Sequence, residues 1–138
     1  MKIVVDTNRI MAAMLKDGTT REILILSCIE FVTPEHAIEE LIKHKEYISG
    51  KFSTDKIAFD ILFQVILQYI AVIPKELIKQ HNERAKEIMK DIDIEDFPFI
   101  ACALATNADG IWSHDSHFSK QIVVKTYTNS DLRELLKK

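Results

Sequence analysis

The amino-acid sequence predicts an α/β domain built on a mainly parallel, five-stranded sheet. Short apolar runs, mostly β-branched, recur along the chain at residues 2–6, 31–33, 70–73, 110–113 and 122–125. Longer segments with the helical spacing of apolar residues lie between these runs. Strands that alternate with helices in this way are typical of a three-layer α/β/α fold, in which helices cover both faces of the sheet.

The first strand is a continuous apolar run, which is typical of a parallel strand buried on both faces. A helix follows over residues 8–15. The next helix reaches residue 28, and Thr19 or Thr20 is its expected N-cap, because a hydroxyl there accepts a hydrogen bond from the first helical turn. Pro34, which follows the second strand, suits the first turn of a third helix.

Proline and small polar residues also mark the later helices. Pro74 opens a single long helix after the third strand. The apolar segment 98–106 predicts a helix with Asn107 as its C-cap, because asparagine tolerates the left-handed conformation that ends many helices. A terminal helix over residues 131–138 is expected to be capped by Ser130.

The composition describes one globular domain, residues 1–138, without a membrane segment. Hydrophobic residues make up 47% and charged residues 28% of the chain, which is ordinary for a folded domain. The apolar runs fall short of the roughly 20 residues of a membrane helix, and the first run is too short for a signal peptide. We therefore expect a cytoplasmic protein whose two cysteines, Cys28 and Cys102, are buried free thiols.

Four acidic residues fall where the predicted strands end. Asp6 closes the first strand, and Asp115 follows the fourth. Asp96 precedes the helix that leads into the fourth strand, and Glu40 lies in the helix that leaves the second. Ligand sites of open parallel sheets lie beyond the carboxyl ends of the strands, so these four side chains are expected to meet. Carboxylates are the ligands that Mg²⁺ and Mn²⁺ prefer, and such a site suits phosphodiester chemistry.

Each acid taken singly also has an ordinary structural interpretation. Asp6 and Asp96 suit helix N-caps, and Asp115 suits an Asx turn. Glu40 is most simply a solvated helix residue. The four together are harder to explain in this way, because clustered carboxylates without a metal repel one another and destabilise the fold.

For two further acids, Glu39 and Asp93, the sequence does not decide whether they belong to the site. The helical periodicity does not choose cleanly between Glu39 and Glu40. Asp93 is either another acid at the same edge of the sheet or a solvated residue of an acidic connector.

The two histidines that flank Asp115 also have two interpretations. His114 and His117 form either a transition-metal site or, in the favoured interpretation, a contact to substrate. Other chemistries lack support, because the chain has no Gly-x-Ser-x-Gly elbow and no glycine-rich phosphate loop.

The formal net charge of −3 is unusual for a protein that binds nucleic acid. However, the excess of 21 acidic over 18 basic residues disappears once the four candidate ligands are set aside. Divalent ions at the site would invert the local field as well. An RNA or DNA substrate is therefore compatible with the charge, and Arg9, close to Asp6, is the best candidate to contact a substrate phosphate.

The sequence resembles the PIN-domain nucleases in four segments, which occur in the order and spacing of the family over nearly the whole chain. These segments are Val4-Val5-Asp6-Thr7-Asn8, Ile38-Glu39-Glu40-Leu41, residues 96–104 and residues 112–118. The resemblance implies a Rossmann-like sheet of strand order 3-2-1-4-5. It also implies Mg²⁺- or Mn²⁺-dependent cleavage of single-stranded RNA, often by VapC-type toxins of toxin–antitoxin pairs.

The same resemblance assigns roles to residues. It implies that Asp6, Glu40, Asp96 and Asp115 are catalytic, metal-binding carboxylates, and the family pattern of Glu followed by Leu favours Glu40 over Glu39. The residues expected to orient these ligands are Thr7, Asn8, Ser113 and Asp93. The residues expected to contact substrate are Arg9, His114 and His117.

The expected partners are single-stranded RNA, a second copy of the chain in a homodimer, and an antitoxin protein if the chain is a toxin. Apolar helices around residues 20–30 and 57–70 offer a face for such partners, although core packing explains most of their residues. A non-catalytic RNA-binding or protein-interaction module on the same fold is the alternative. A phospho-receiver domain is disfavoured, because the third strand ends in Ile73-Pro74 with no aspartate to accept a phosphoryl group.

Overall fold

A five-stranded parallel sheet forms the centre of the molecule. The computed structural model describes residues 1–15, 18–51 and 56–137. The strand order is β3-β2-β1-β4-β5, and every neighbouring pair is parallel. The strands are β1 (Lys2–Val5), β2 (Glu30–Pro34), β3 (Ile70–Ile73), β4 (Gly110–Trp112) and β5 (Thr126–Tyr127). The predicted α/β fold and its 3-2-1-4-5 sheet are therefore confirmed.

Helices flank this sheet and connect its strands. They are α1 (Thr7–Met14), α2 (Gly18–Leu26), α3 (Glu35–Lys43), α4 (Lys45–Lys51), α5 (Lys56–Leu67), α6 (Lys75–Ile78), α7 (Asn82–Met89), α8 (Phe97–Thr106), α9 (Ser116–Ser119) and α10 (Asn129–Leu136). Helix α1 packs against α2, α3 and α5, whereas α8 packs against α6 and α7. None of the helices in the described ranges is long and apolar enough to cross a membrane.

The core is centred on β1 and β4. Val4 and Ile111 pair in register and are fully buried. The rings of Phe31 and Trp112 pack beside them at a centroid distance of 5.3 Å. Burial of such side chains stabilises the fold by about 1.5–3 kcal/mol each, which fixes the ends of β1 and β4 relative to each other.

Gly110, in β4, lies in close contact with the chain around β5. A Cβ atom at this position would lie 2.5 Å from the Tyr127 ring and 2.6 Å from the Lys125 carbonyl oxygen. No side chain fits at this distance. The absence of a side chain at Gly110 therefore lets β5 pair with β4, which places the start of α10 near the end of β4.

The fifth strand begins after the β-branched run that predicted it, so the prediction of a strand at residues 122–125 is wrong. Ile122 is 97% exposed. The Gln121 side chain accepts a hydrogen bond from the Val124 N–H (2.8 Å) and donates one to the Phe118 carbonyl (2.7 Å). This local network holds the segment in a turn, and pairing with β4 starts only at Thr126.

Three predicted features also differ, two in the first helices and one in the segment after β3. Helix α2 begins at Gly18, so Thr19 and Thr20 lie inside it, and neither is its N-cap. Pro34 is the N-cap of α3 and precedes its first turn. The single long helix expected after Pro74 is divided into α6 and α7 by a 3-10 turn, Lys79–His81.

Near the C-terminal end, one predicted cap is confirmed and one is wrong. Asn107 ends α8 in the left-handed conformation with φ of 53°, as predicted. Helix α10 is capped by Thr128 instead of Ser130. The Thr128 hydroxyl accepts a hydrogen bond from the Asp131 N–H (3.2 Å), and the Asp131 carboxylate accepts one from the Thr128 N–H (2.9 Å). This reciprocal capping box satisfies two backbone donors at once.

Only one of the two cysteines is buried as predicted. Cys102 is buried in α8, and burial raises the pKa of its thiol to about 12. Cys28 is exposed, so the prediction that both thiols are buried is wrong for this residue. It follows the end of α2 at the surface, because the apolar face of that helix ends before residue 28.

Candidate metal centre

The four predicted acids line one cleft of about 280 Å³ beyond the ends of β1 and β4. Asp6 follows β1, Glu40 lies in α3, Asp96 precedes α8, and Asp115 precedes α9. The other lining residues are Thr7, Asn8, Met11, His44, Tyr47, Phe99 and Phe118. Four carboxylates that are far apart in the sequence therefore face one concave surface.

Asp6 is the most buried of these acids. It is 4% exposed and is the N-cap of α1, where its Oδ1 accepts a hydrogen bond from the Arg9 N–H (2.8 Å). Burial raises the pKa of Asp6 to about 6. Hydrogen bonds from Ser113 and the Arg9 N–H oppose this shift, and the negative charge of Asp115 adds to it. A carboxylate of this kind is destabilised without a cation beside it.

Ser113 connects two of the acids. Its hydroxyl donates a hydrogen bond to Asp6 Oδ2 and accepts one from the Asp115 N–H (2.9 Å). Asp115 in turn caps α9, because its Oδ1 accepts a hydrogen bond from the His117 N–H (2.8 Å). This short chain of hydrogen bonds sets the position of Asp6 relative to the backbone of Asp115.

Glu40 is oriented by two neighbours. The Thr7 hydroxyl donates a hydrogen bond to Glu40 Oε1 (2.7 Å), and His36 Nε2 lies 3.3 Å from the same oxygen. Glu39 is placed elsewhere, since its carboxylate contacts the Lys75 ammonium and lines a separate cavity of about 300 Å³. The structure thus places Glu40, and not Glu39, in the cleft with the other acids.

His117 lies at the meeting point of three carboxylates. Its Nδ1 is 3.2 Å from Asp93 Oδ2, 3.4 Å from Asp96 Oδ2 and 3.4 Å from Asp115 Oδ1. Asp93 uses its other oxygen to accept a hydrogen bond from the Glu95 N–H (3.1 Å), which holds it at this place. Burial raises the pKa of Asp96 and the charge of Asp93 raises it further, whereas His117 opposes the shift.

The spacing of these atoms fits the coordination shell of a metal ion. Ligand atoms from Asp93, Asp96 and His117 all lie within 4.8 Å of one another. Ligands about 2.1 Å from an octahedral ion are roughly 3 Å apart when they are neighbours, which is close to the Nδ1–oxygen distances found here. Carboxylate oxygens suit Mg²⁺ or Mn²⁺, and the imidazole nitrogen shifts the preference toward Mn²⁺ and other transition metals.

A model of the PIN domain matches residues 4–137, a range that includes all four acids. The chain belongs to the PIN-domain family. Proteins of this family are generally nucleases and typically use a divalent metal. No curated protein matches the chain.

Two of the residues predicted to contact substrate, Arg9 and His114, do not line the cleft of this PIN domain and contact other elements. Arg9 directs its guanidinium to the Thr20 hydroxyl in α2 (3.4 Å). His114 Nε2 accepts a hydrogen bond from the Asn129 N–H (3.1 Å) at the start of α10. Asn8 lines the cleft and is exposed. The contacts that were expected between substrate and Arg9 or His114 therefore stay predictions.

Sequence reasoning did not single out the aromatic side of the cleft. Phe99 packs edge-to-face on Phe118 (5.9 Å between centroids), and His36 packs on Phe99 (5.8 Å). Phe99 lies three residues after Asp96, so helical spacing alone indicates that both share one face. Tyr47 reaches the cleft from α4 and is 64% exposed, and no local pattern in the sequence marks it.

Proposed function

We propose that this PIN domain is a metal-dependent endoribonuclease that hydrolyses phosphodiester bonds of single-stranded RNA. The observation that carries the proposal is the convergence of Asp6, Glu40, Asp96 and Asp115 on one cleft. These carboxylates would hold Mg²⁺ or Mn²⁺, and we add Asp93 and His117 to the group that binds metal. When bound, a divalent ion supplies charge for the phosphate oxygens and lowers the pKa of a coordinated water.

The protein's own part in the reaction is to hold these ligands in place. Ser113 orients Asp6, and Thr7 orients Glu40, through the hydrogen bonds described above. The cleft is strongly acidic by itself and repels a phosphate backbone. Productive binding of RNA therefore requires the metal, which inverts the local charge.

The exposed polar and aromatic residues at the cleft favour a single-stranded substrate. Tyr47 offers an exposed ring on which an unpaired base can stack, and such stacking does not depend on sequence. His44 and Asn8 are also exposed beside the acids and can donate hydrogen bonds to phosphate or sugar oxygens. A paired strand keeps its bases stacked inside the duplex and presents none to Tyr47.

A role as the toxin of a toxin–antitoxin pair, acting as a homodimer, is the finer form of this proposal. Helix α5 supports it, because Ile57, Ile61 and Val65 recur at helical spacing and are 74%, 62% and 41% exposed. A row of this kind is typical of a surface that a protein partner covers. The alternative function, a non-catalytic interaction module, would use the same row.

The first test is cleavage of end-labelled single-stranded RNA with Mn²⁺, with Mg²⁺ and with EDTA. We expect metal-dependent cleavage that Asp6→Asn and Asp96→Asn each reduce by at least 100-fold. Asp60→Asn is the matched control, because Asp60 is exposed and pairs with Lys45 outside the cleft. Lack of both metal binding and cleavage in folded wild-type protein would favour the interaction module instead.

A further inference from the structure

Asn129, the first residue of α10, contacts both neighbours of Ser113. Its side-chain Oδ1 accepts a hydrogen bond from the Trp112 indole N–H (2.7 Å). Its backbone N–H donates to His114 Nε2 (3.1 Å). One residue outside the cleft therefore holds the chain immediately before and immediately after Ser113.

Ser113 is the residue that links two of the candidate metal ligands. Its hydroxyl donates a hydrogen bond to the Asp6 carboxylate and accepts one from the Asp115 N–H, as described above. The position of this hydroxyl depends on the backbone between Trp112 and His114. Any displacement of that backbone moves the Ser113 hydroxyl away from the Asp6 carboxylate or from the Asp115 N–H.

The same side chain also reaches the first helix pair. Asn129 Nδ2 donates a hydrogen bond to the Thr20 hydroxyl oxygen (3.0 Å), and that oxygen also lies 3.4 Å from the Arg9 guanidinium. Arg9 belongs to α1, which begins directly after Asp6. The Asn129 amide is thus connected to the segments of both Asp6 and Asp115.

The chemistry of these contacts explains the choice of residue. The side chain must accept from an indole N–H and donate to a hydroxyl at the same time, which a short primary amide can do. An aspartate provides only the acceptor, and an alanine provides neither. The backbone N–H of a first-turn residue has no partner within its helix, so it is available to His114.

We propose that Asn129 is a positioning residue of the metal centre, acting through Trp112, His114 and Ser113. The inference rests on the proposed function for its effect on metal, but its effect on the structure around Ser113 does not depend on that function. Residues that orient metal ligands in this way typically change metal affinity by 10- to 100-fold when they are replaced.

The test compares Asn129→Ala and Asn129→Asp with Thr128→Ala. Thr128 caps the same helix and lies next to Asn129, but within the described chain its hydroxyl bonds to the Asp131 N–H of the cap. Thr128→Ala therefore weakens α10 without removing the contacts to Trp112 and Thr20.

Two quantities are measured in each protein. The first is hydrogen exchange of the Asp115 amide and of the Trp112 indole, which gives one signal because the chain has 1 Trp. The second is Mn²⁺ affinity by calorimetry.

For Asn129→Ala we expect at least tenfold faster exchange at both sites and at least tenfold weaker Mn²⁺ binding, with little change in Thr128→Ala. Asn129→Asp keeps the acceptor for the indole, so it should retain protection of that proton and lose part of the metal affinity. Asn129→Asp also serves as the test if the Asn129→Ala protein does not fold. Equal effects of Asn129→Ala and Thr128→Ala would overturn the proposal. If wild-type protein neither binds Mn²⁺ or Mg²⁺ nor cleaves RNA, the proposed function fails. Hydrogen exchange of the Asp115 amide then still tests whether Asn129 positions the segment around Ser113.

Discussion

The Ser113 hydroxyl donates a hydrogen bond to the Asp6 carboxylate across 107 positions of sequence. The two residues follow β4 and β1, which are neighbours in the sheet. The same hydroxyl accepts the Asp115 N–H, so one small side chain sets the geometry of two acids. The sheet register therefore determines the spacing of the candidate ligands.

Replacement of Ser113 should weaken metal binding without unfolding the protein. Ser113→Ala removes the hydrogen bond to Asp6 and the acceptor of the Asp115 N–H, and we expect a 10- to 100-fold loss of Mn²⁺ affinity by calorimetry. Ser119→Ala is the control, because the Ser119 hydroxyl donates its hydrogen bond to the Ser116 carbonyl at the surface (2.8 Å). Unchanged affinity in a folded Ser113→Ala protein would contradict the assignment of Ser113.

Removal of the Asp6 charge should stabilise the metal-free protein at neutral pH. The folded pKa of Asp6 is about 6, above the ordinary value of 3.8, so the folded protein holds this proton more tightly than the unfolded chain does. Stability is therefore lost as the pH rises from about 4 to about 6, and the loss persists at higher pH. The shift corresponds to at most about 3 kcal/mol, and the lost hydrogen bonds reduce the gain for Asp6→Asn to about 1–2 kcal/mol.

Urea unfolding in EDTA at several pH values checks this expectation. The difference in unfolding free energy between Asp6→Asn and wild type should be small near pH 4 and should open by pH 7. Saturating Mn²⁺ should reverse the order, because the metal stabilises only the protein that binds it. A less stable Asp6→Asn protein at pH 7 in EDTA would show that the Asp6 charge is already compensated.

Replacement of His117 should change which metal the site prefers. His117→Gln removes an imidazole nitrogen that lies within 3.4 Å of three carboxylates. We expect the affinity for Mn²⁺ and Co²⁺ to fall by about tenfold while that for Mg²⁺ changes little, because Mg²⁺ prefers oxygen ligands. Visible absorption of the Co²⁺-loaded protein gives a second readout. The control is His81→Gln, in the 3-10 turn Lys79–His81. Equal losses for Mg²⁺ and Mn²⁺ would argue that His117 acts on the acids and not on the metal.

A methyl group at Gly110 should destabilise the fold. The added Cβ would meet the Tyr127 ring and the Lys125 carbonyl at 2.5–2.6 Å, so we expect Gly110→Ala to cost about 1–3 kcal/mol in thermal or urea unfolding. Gly50→Ala is the matched control. A Cβ at Gly50, within α4, meets nothing within 4 Å, and this change should be neutral or stabilising by up to about 1 kcal/mol.

The α/β architecture and the convergence of the four acids follow from local pattern, because strand ends and parallel connections are visible in the sequence. The strand order came from the resemblance to the family. Asp6 and Asp115 fall directly after apolar runs, and parallel strands bring such positions to one edge. Only the resemblance to the family favoured Glu40 over Glu39, because the residues that face the cleft depend on how α3 is rotated against the sheet. Helical spacing alone gave no clean answer there.

The contacts of His117 and Asn129 could not be predicted from local sequence pattern. His117 reaches Asp93 only because a 3-10 turn, Ile94–Asp96, directs that carboxylate toward α9. Asn129 meets Thr20 across 109 positions, through the packing of α10 on α2. The misplaced fifth strand has a similar cause, because side-chain bonds of Gln121 outweigh the β-propensity of its neighbours.

The position of β4 between β1 and β5 has a consequence for biosynthesis. A ribosome completes β1, β2 and β3 long before it adds the Ser113–Asp115 segment, yet β1 keeps one side unpaired until β4 arrives. Asp6 then lacks both Ser113 and the neighbouring acid, so the centre is assembled only after the segment Ser113–Asp115 has been added. A nascent chain that has not yet reached Asp115 therefore holds only part of the metal centre, and the ribonuclease activity proposed above would begin only after that point.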